Sequence, residues 1–243
     1  MDGITNIDFI KEVITTDDGN PVPFRWTHGA TDEHMGDGLI VYSIIQHMRF
    51  KNCVCIGSGG GYIPRIMTQA RIDLHKQGIY EGNIEYNWGD IGSTYLVDAC
   101  NGIGGECKIE NIDSYYRSHF YPRFIKDTSE NAYYNFFVLH DIIIDLLFID
   151  GDHTYAGVKK DFELYSQILT PNGIIIIHDT DENFSNNLII SEDAKKDYHT
   201  FDGPSRLIKE IEKLPEWNLM NLFNFGTLPT KPSSSGITLI NRK

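Results

Sequence analysis

The sequence predicts an α/β fold with a doubly wound, mostly parallel sheet. Apolar runs without alternation, such as Ile174–Ile177, are typical of strands that are buried on both faces. An amphipathic helical segment separates this run from another one, and that β-α-β order favours parallel pairing. Two final strands, near 218–225 and 236–241, follow each other with no helix between them, which predicts an antiparallel hairpin at the edge of the sheet.

Length and charge narrow the functional classes. The chain has 243 residues and a formal net charge of −13, from 34 acidic and 21 basic side chains. This length allows one large domain with a sizeable core. An acidic surface without a basic stripe argues against nucleic acid and anionic lipid as partners. The sequence has no apolar run of about 18 residues, no signal-peptide pattern at its start and no CxxC pair. We therefore expect a cytoplasmic protein with reduced thiols and a small-molecule partner.

The first half of the chain predicts three strands that end at glycine or at an acid. Residues 1–36 are polar and turn-rich, and we predict a boundary near residue 50, with 1–49 as a cap segment packed on the core and 50–243 as the main domain. The predicted elements are a helix over 37–48, a strand over 53–56, a helix over 62–76, and strands over 94–97 and 123–126.

The second half contains the clearest β-α-β unit, over residues 141–180. An almost continuous apolar run, Ile142–Ile149, predicts a strand, and Thr154 is placed to cap the following helix. That helix has apolar positions at helical spacing: Val158, Phe162, Tyr165 and Leu169. The stretch Pro171–Gly173 is predicted to end it before the strand Ile174–Ile177. A long loop over 181–203 and a helix over 204–213 precede the closing hairpin.

Candidate ligand-binding residues follow the predicted strands, and ligands of doubly wound sheets bind beyond the carboxyl ends of the strands. The Gly57–Gly61 turn lies between a strand and a helix, where helix N–H groups are open to a carboxylate or phosphate. It also suits a tight turn without a ligand. Asp98 ends the next strand, where an acid can accept both ribose hydroxyls, although a solvated acid there is the alternative.

A second group of polar residues ends the two strands of the β-α-β unit. Asp150, His178 and Asp179 combine two carboxylates with an imidazole, which suits a divalent cation such as Mg²⁺ or Mn²⁺. Hydrogen bonding to loop backbone is the alternative. His153 stands three residues after Asp150, where an imidazole could deprotonate a substrate hydroxyl near neutral pH. A capping or surface role for His153 remains open, as do pocket and packing roles for the aromatic side chains Tyr115, Tyr116, Phe120, Tyr121, Tyr133 and Tyr134.

Two parts of the chain resemble a known family. Val54–Gly61 resembles the first motif of class I S-adenosylmethionine-dependent methyltransferases. The stretches 147–155 and 171–179 resemble a subgroup described as cephalosporin-hydroxylase-like or macrocin-type O-methyltransferases. The resemblance covers about residues 50–241. It implies a Rossmann-like seven-stranded sheet whose last strand is antiparallel, and an S-adenosylmethionine-binding domain over residues 50–243.

The resemblance also implies roles for individual residues. The methionine part of the cofactor would lie on the glycine turn, the ribose on Asp98 and the adenine amino group on Asp127. Asp150, His178 and Asp179 would hold Mg²⁺ or another divalent cation, and His153 would be the base. The full set of implied cofactor contacts is Gly57, Ser58, Gly59, Gly61, Asp98, Asp127 and Asp150.

We therefore expect a metal-assisted O-methyltransferase that methylates a hydroxyl of a sugar, a polyketide-like or a catechol-like molecule, and the resemblance suggests a homodimer. A nicotinamide-dependent oxidoreductase is one alternative, but its GxGxxG motif wants glycine where Tyr62 stands. The others are a non-catalytic cofactor-binding protein with the same fold and a metal-dependent hydrolase.

Overall fold

The computed structural model describes residues 28, 35–57, 61–79, 92–99, 123–182, 202–223 and 236–243. The chain divides into two compact units, Met1–Asp127 and Thr128–Lys243. The predicted fold class is confirmed, because the described residues form a seven-stranded, mostly parallel sheet of Rossmann-like type. The predicted boundary at residue 50 stays a prediction. Within the described part of the chain, no helix is long and apolar enough to cross a lipid bilayer.

The first unit contains a short parallel sheet and two helices. Its elements are α1 (Gly38–Met48), β1 (Cys53–Ile56), α2 (Tyr62–Lys76), β2 (Thr94–Val97) and β3 (Arg123–Ile125). β2 pairs in parallel with β1 on one side and with β3 on the other. All residues of β1 and β2 are buried, as their unalternated apolar sequences predict.

α2 begins directly after the glycine turn. Gly61 precedes it with a φ of 77°, a left-handed conformation that glycine adopts without strain. Tyr62, the first residue of α2, is buried and donates a hydrogen bond of 2.6 Å to the carbonyl of Met35. A Cβ on Gly38 would lie only 2.5 Å from the Tyr62 hydroxyl oxygen. A large side chain thus fills the place where a nicotinamide-binding turn has its third glycine.

The second unit contains the other four strands, in the order β4-β5-β7-β6. β4 and β5 pair in parallel, whereas β7 is antiparallel to both β5 and β6, which confirms the predicted closing hairpin. Its elements are α3 (Ser129–Ala132), a π-helix (Tyr133–Val138), β4 (Ile144–Ile149), α4 (Tyr155–Tyr165), β5 (Leu169–His178), α5 (Gly203–Ile211), β6 (Trp217–Leu222) and β7 (Ile237–Arg242).

α4 begins where the sequence predicts and ends earlier. The Thr154 hydroxyl accepts a hydrogen bond from the Gly157 amide, which caps the helix. The prediction that Pro171–Gly173 ends the helix is wrong: a 3₁₀ turn follows Tyr165, and Leu169 already begins β5. The pairing register of β4 with β5 shifts between Ile144 and Leu146, and this irregularity accommodates the turn-like sequence inside the strand.

The π-helix was not predicted. Its Tyr133 and Phe137 are buried, and their rings pack against Tyr165 with centroid distances of 5.5 Å and 5.4 Å. Tyr133 therefore has the packing role that was left open, whereas Tyr134 is exposed. The other candidate aromatics, Tyr115, Tyr116, Phe120 and Tyr121, lie outside the described residues.

Candidate functional site

The parallel pairing of β4 and β5 brings polar side chains to one edge of the second unit. Ile149 pairs with Ile177, so the residues that follow them leave the sheet side by side. Asp150 Oδ1 lies 2.9 Å from Nδ1 of His178, which in turn lies 3.2 Å from Oδ1 of Asp179. The sequence prediction that these three side chains converge is thus supported by the geometry of the strand ends.

His153 joins the same cluster from the loop before α4. Its Nε2 lies 3.3 Å from Asp150 Oδ1, and its Nδ1 lies 3.3 Å from Asp179 Oδ2. Both ring nitrogens therefore face carboxylates. Such an arrangement orients the ring and favours an N–H at each nitrogen.

The environment favours the protonated form of His153. Burial lowers the pKa of a histidine, and the neighbouring His178 acts in the same direction. The hydrogen bond to Asp150 and the negative charges of Asp179 and Asp150 outweigh both effects, so the pKa of His153 is raised above its ordinary value.

The backbone around His153 is tightly packed. Asp152 Oδ1 accepts a hydrogen bond of 2.9 Å from the Thr154 amide just before α4 begins. A Cβ on Gly203, the first residue of α5, would lie 2.3 Å from the His153 carbonyl oxygen. Gly203 thus permits the close approach that places His153, a contact across 50 positions that no local sequence pattern indicates.

The donor set suits a divalent cation. Asp150, His178 and Asp179 each offer a ligand atom, and these atoms all lie within 4.8 Å of one another. In an octahedral site with bonds of 2.0–2.1 Å, neighbouring ligands are about 3 Å apart, and the 2.9 Å and 3.2 Å separations around His178 Nδ1 match that spacing. Two oxygens and one nitrogen suit a cation that accepts both donor types, such as Mn²⁺, as well as Mg²⁺.

The predicted cofactor residues of the first unit follow its strands. Gly57 has a φ of 72°, and its amide donates a 2.8 Å hydrogen bond to Val97, which places it beside Asp98 at the ends of β1 and β2. The amides of Asp98 and Asp127 both donate to the carbonyl of Ile125. The structure therefore brings Gly57 and both acids to one edge, whereas Ser58 and Gly59 lie outside the described residues.

Comparison with known proteins places this geometry in context. A family model described as a methyltransferase domain matches residues 54–180, more than half of the chain. The O-methyltransferase TomG from Streptomyces achromogenes, solved in complex with SAM, has a TM-score of 0.58 at 12% identity, over 85% of this chain and 79% of that one. An O-methyltransferase from Bacillus cereus, solved in complex with SAH, has a TM-score of 0.56 at 16% identity, over 85% and 80%.

One curated protein also matches over a short stretch. Protein y4gI of Sinorhizobium fredii is 42% identical to this chain over 43 residues, which are 18% of this chain. Those residues span only 5% of the length of y4gI. At identities of 12% and 16%, the likeness to the two solved structures shows a shared fold alone. The protein family is shown by the family model.

Proposed function

The chain belongs to the methyltransferase-domain family, and we propose that it is an S-adenosylmethionine-dependent O-methyltransferase that methylates a hydroxyl group of a small molecule with the help of a divalent cation. Asp150, His178 and Asp179 would hold the cation. His153 would accept the proton of the hydroxyl group. The substrate would be a sugar, a polyketide-like or a catechol-like molecule, and the structurally similar O-methyltransferases support the choice of oxygen as the acceptor atom.

The convergence of Asp150, His178 and Asp179 carries this proposal. The two carboxylates and the imidazole lie at neighbouring strand ends, with ligand atoms at the spacing that a divalent cation requires. Bound there, a cation would lower the pKa of a coordinated hydroxyl and fix its position. The alternative, hydrogen bonding to loop backbone, does not require two acids and two histidines to contact one another as Asp150, Asp179, His153 and His178 do.

His153 is placed to move the proton. Its Nδ1 faces Asp179, and this contact would hold the ring in the tautomer whose Nε2 accepts a proton. Nε2 lies 3.3 Å from Asp150 Oδ1, and it would be open to accept a proton if the Asp150 carboxylate held a cation instead. The aligned oxygen would then bond to the methyl carbon of the cofactor while the carbon–sulfur bond of the sulfonium breaks, leaving S-adenosylhomocysteine. Effective alignment contributes several kcal/mol to such reactions.

The first unit would bind the cofactor through the residues at the ends of β1, β2 and β3. The backbone of the glycine turn at Gly57 and Gly61 would approach the methionine part closely, because both residues adopt a positive φ without a side chain. Asp98 would accept hydrogen bonds from the ribose hydroxyls, and Asp127 would accept one from the adenine amino group. The buried Tyr62 argues against a nicotinamide cofactor, which would need a third glycine at that position.

Calorimetric titration with S-adenosylhomocysteine tests the cofactor assignment. We expect binding in the micromolar range, and no binding of NADH in a parallel titration. Titrations with Mg²⁺ and Mn²⁺ then test the cation site. Absence of S-adenosylhomocysteine binding with and without cation would contradict the proposal and favour a non-catalytic protein or a hydrolase.

An acceptor panel tests the substrate class. Catechols, reducing and amino sugars, and polyphenolic compounds are incubated with S-adenosylmethionine, with and without EDTA, and transfer is followed through the S-adenosylhomocysteine that is released. We expect transfer to at least one hydroxylated class and its loss with EDTA. Full activity in EDTA would contradict the role of a cation.

A further inference from the structure

We infer that Thr180 and Thr238 are positioning residues that hold the carboxylate of Asp179 in the cation site. This inference rests on the proposed function, because it concerns how one of the proposed ligands is oriented. Neither threonine belongs to the proposed ligand set. Thr180 follows Asp179, and Thr238 lies on β7, the strand that pairs with the end of β5.

Asp179 adopts a backbone conformation that has to be imposed on it. Its φ is 57°, in the left-handed region, which is uncommon for residues other than glycine even though aspartate tolerates it better than most. A conformation of this kind costs about 1 kcal/mol or more and persists where the surrounding structure holds it. The direction of the Asp179 side chain therefore depends on what anchors the residues on either side.

β7 supplies both anchors. His178 is paired with Ile237 in the sheet, and the amide of Thr180 donates a hydrogen bond of 3.2 Å to the carbonyl of Gly236. Asp179 thus forms a bend between two residues that are both attached to the beginning of β7. The bend points its oxygens at two histidines, with Oδ1 at 3.2 Å from His178 Nδ1 and Oδ2 at 3.3 Å from His153 Nδ1.

A buried chain of hydrogen bonds fastens the second anchor. Thr238 Oγ1 lies 2.9 Å from Thr180 Oγ1 and 2.8 Å from Oδ1 of Asn221. Since a hydroxyl group carries one hydrogen and an amide oxygen only accepts, Thr238 donates to Asn221 and accepts from Thr180. Thr180 and Thr238 are both buried, so removing the Thr238 hydroxyl leaves the Thr180 hydroxyl without its acceptor in a place that water does not reach.

The start of β7 is shaped for this contact. Gly236 has a φ of 86°, and a Cβ there would lie 2.7 Å from the Asp181 amide nitrogen. Only glycine lets β7 approach the chain so closely after the bend. Gly236 thus contacts the segment after β5 through its backbone, and Thr238 contacts it through its side chain.

The test compares Thr238→Val, which removes the hydroxyl at nearly constant volume, with Thr238→Ser, which keeps it. Thr170→Val is the matched control, since it removes a hydroxyl from the opposite end of β5, where Thr170 contacts Asp145. Mn²⁺ affinity is measured by calorimetry, and exchange of the Thr180 amide hydrogen is measured by NMR. We expect Thr238→Val to weaken Mn²⁺ binding about tenfold and to speed Thr180 exchange at least tenfold, while affinity for S-adenosylhomocysteine is unchanged.

The serine variant and the Thr170 control should stay within twofold of the wild type in both measurements. Thermal unfolding identifies variants that fail to fold. If Thr238→Val does not fold, Thr180→Val takes its place in the comparison with Thr238→Ser. Unchanged Mn²⁺ affinity and unchanged exchange in Thr238→Val would overturn the inference. If the wild type binds no Mn²⁺, the proposed cation role fails, and exchange of the Thr180 amide alone decides whether Thr238 holds the bend.

Discussion

Asp150 Oδ1 and His178 Nδ1 lie 2.9 Å apart although 28 positions separate the two residues in the chain. Asp150 follows β4, and His178 is the last residue of β5, so the contact depends on the parallel register of these two strands. A half-buried acid held against a buried imidazole at strand ends is the arrangement expected of a functional site rather than of a stabilising contact, because isolated ion pairs of this kind contribute little to stability.

Asp150→Asn should abolish binding of the divalent cation. The substitution keeps the shape of the side chain but removes the negative charge from the central residue of the cluster, which contacts both His153 and His178. Calorimetry with Mn²⁺ should show a loss of affinity of at least a hundredfold, and methyl transfer should fall in parallel.

The matched control is Asp145→Asn, which changes an acid at the opposite end of β4, where Asp145 contacts Thr170. This variant should bind Mn²⁺ like the wild type. Equal affinities of the Asp150 variant and the control would place the cation elsewhere.

His153→Ala should reduce turnover by two orders of magnitude or more and leave the affinity for S-adenosylhomocysteine nearly unchanged. A positioned base contributes about 10²–10⁴-fold to a proton transfer, and His153 contacts Asp150 through Nε2 and Asp179 through Nδ1. Single-turnover assays separate the chemical step from cofactor binding.

His140→Ala removes an exposed histidine from the turn after the π-helix and serves as the control. Turnover of the His153 variant close to that of this control would show that another group accepts the proton.

Asp98→Ala should weaken cofactor binding about tenfold or more, because a ribose would lose a charged acceptor for its hydroxyls. Asp98 lies beside Gly57 at the ends of β2 and β1. Asp202→Ala, which removes an exposed acid before α5 whose side chain caps no helix, is the control. An unchanged dissociation constant for S-adenosylhomocysteine in the Asp98 variant would mean that the ribose is bound by a different residue.

Asp161 should make the protein less stable as the pH rises. Its carboxyl group is buried on α4 and accepts a hydrogen bond from the Ser129 hydroxyl. Burial, together with the charge of Asp152, raises its pKa to about 7, although the hydrogen bond from Ser129 and the charge of Lys160 oppose this shift. The folded state therefore keeps a proton that the unfolded state has lost between about pH 4 and pH 7.

In that interval the contribution of Asp161 to the free energy of unfolding falls by about 1.4 kcal/mol per pH unit. Asp161→Asn cannot ionise, so its stability relative to the wild type should increase by about 3 kcal/mol between pH 5 and pH 8. Urea unfolding at both pH values measures this difference, with Asp145→Asn as the control. A constant difference across the interval would show that Asp161 titrates at its ordinary pKa.

The β-α-β unit was predictable because its signals are local. Thr154 caps α4 in the structure as its sequence position indicates, and the apolar run before Asp150 forms β4. From parallel pairing it also follows that Asp150 and His178 meet, since residues after neighbouring parallel strands share an edge. The predicted site therefore rested on chain order and on strand direction, both of which the sequence carries.

Other features depend on contacts that no local pattern announces. The stretch Pro171–Gly173 is typical of the end of a helix, yet it lies inside β5. The pairing register with β4 shifts between Ile144 and Leu146, which accommodates this stretch within the strand. The left-handed Asp179 follows from attachment to β7, which is distant in sequence. The contact of His153 Nδ1 with Asp179 depends on that bend. The sequence therefore predicts that His153 lies near Asp150, but it does not predict the partner of the second ring nitrogen.

The position of β7 has a consequence for biosynthesis. β7 is translated after β6 but lies between β5 and β6, so both of those strands expose an unpaired edge until residues 237–242 have left the ribosome. The apolar edge of β5, with Ile174–Ile177, is open to pairing with other chains during this interval. Rapid insertion of β7 therefore limits the time for which the nascent protein exposes this apolar strand edge.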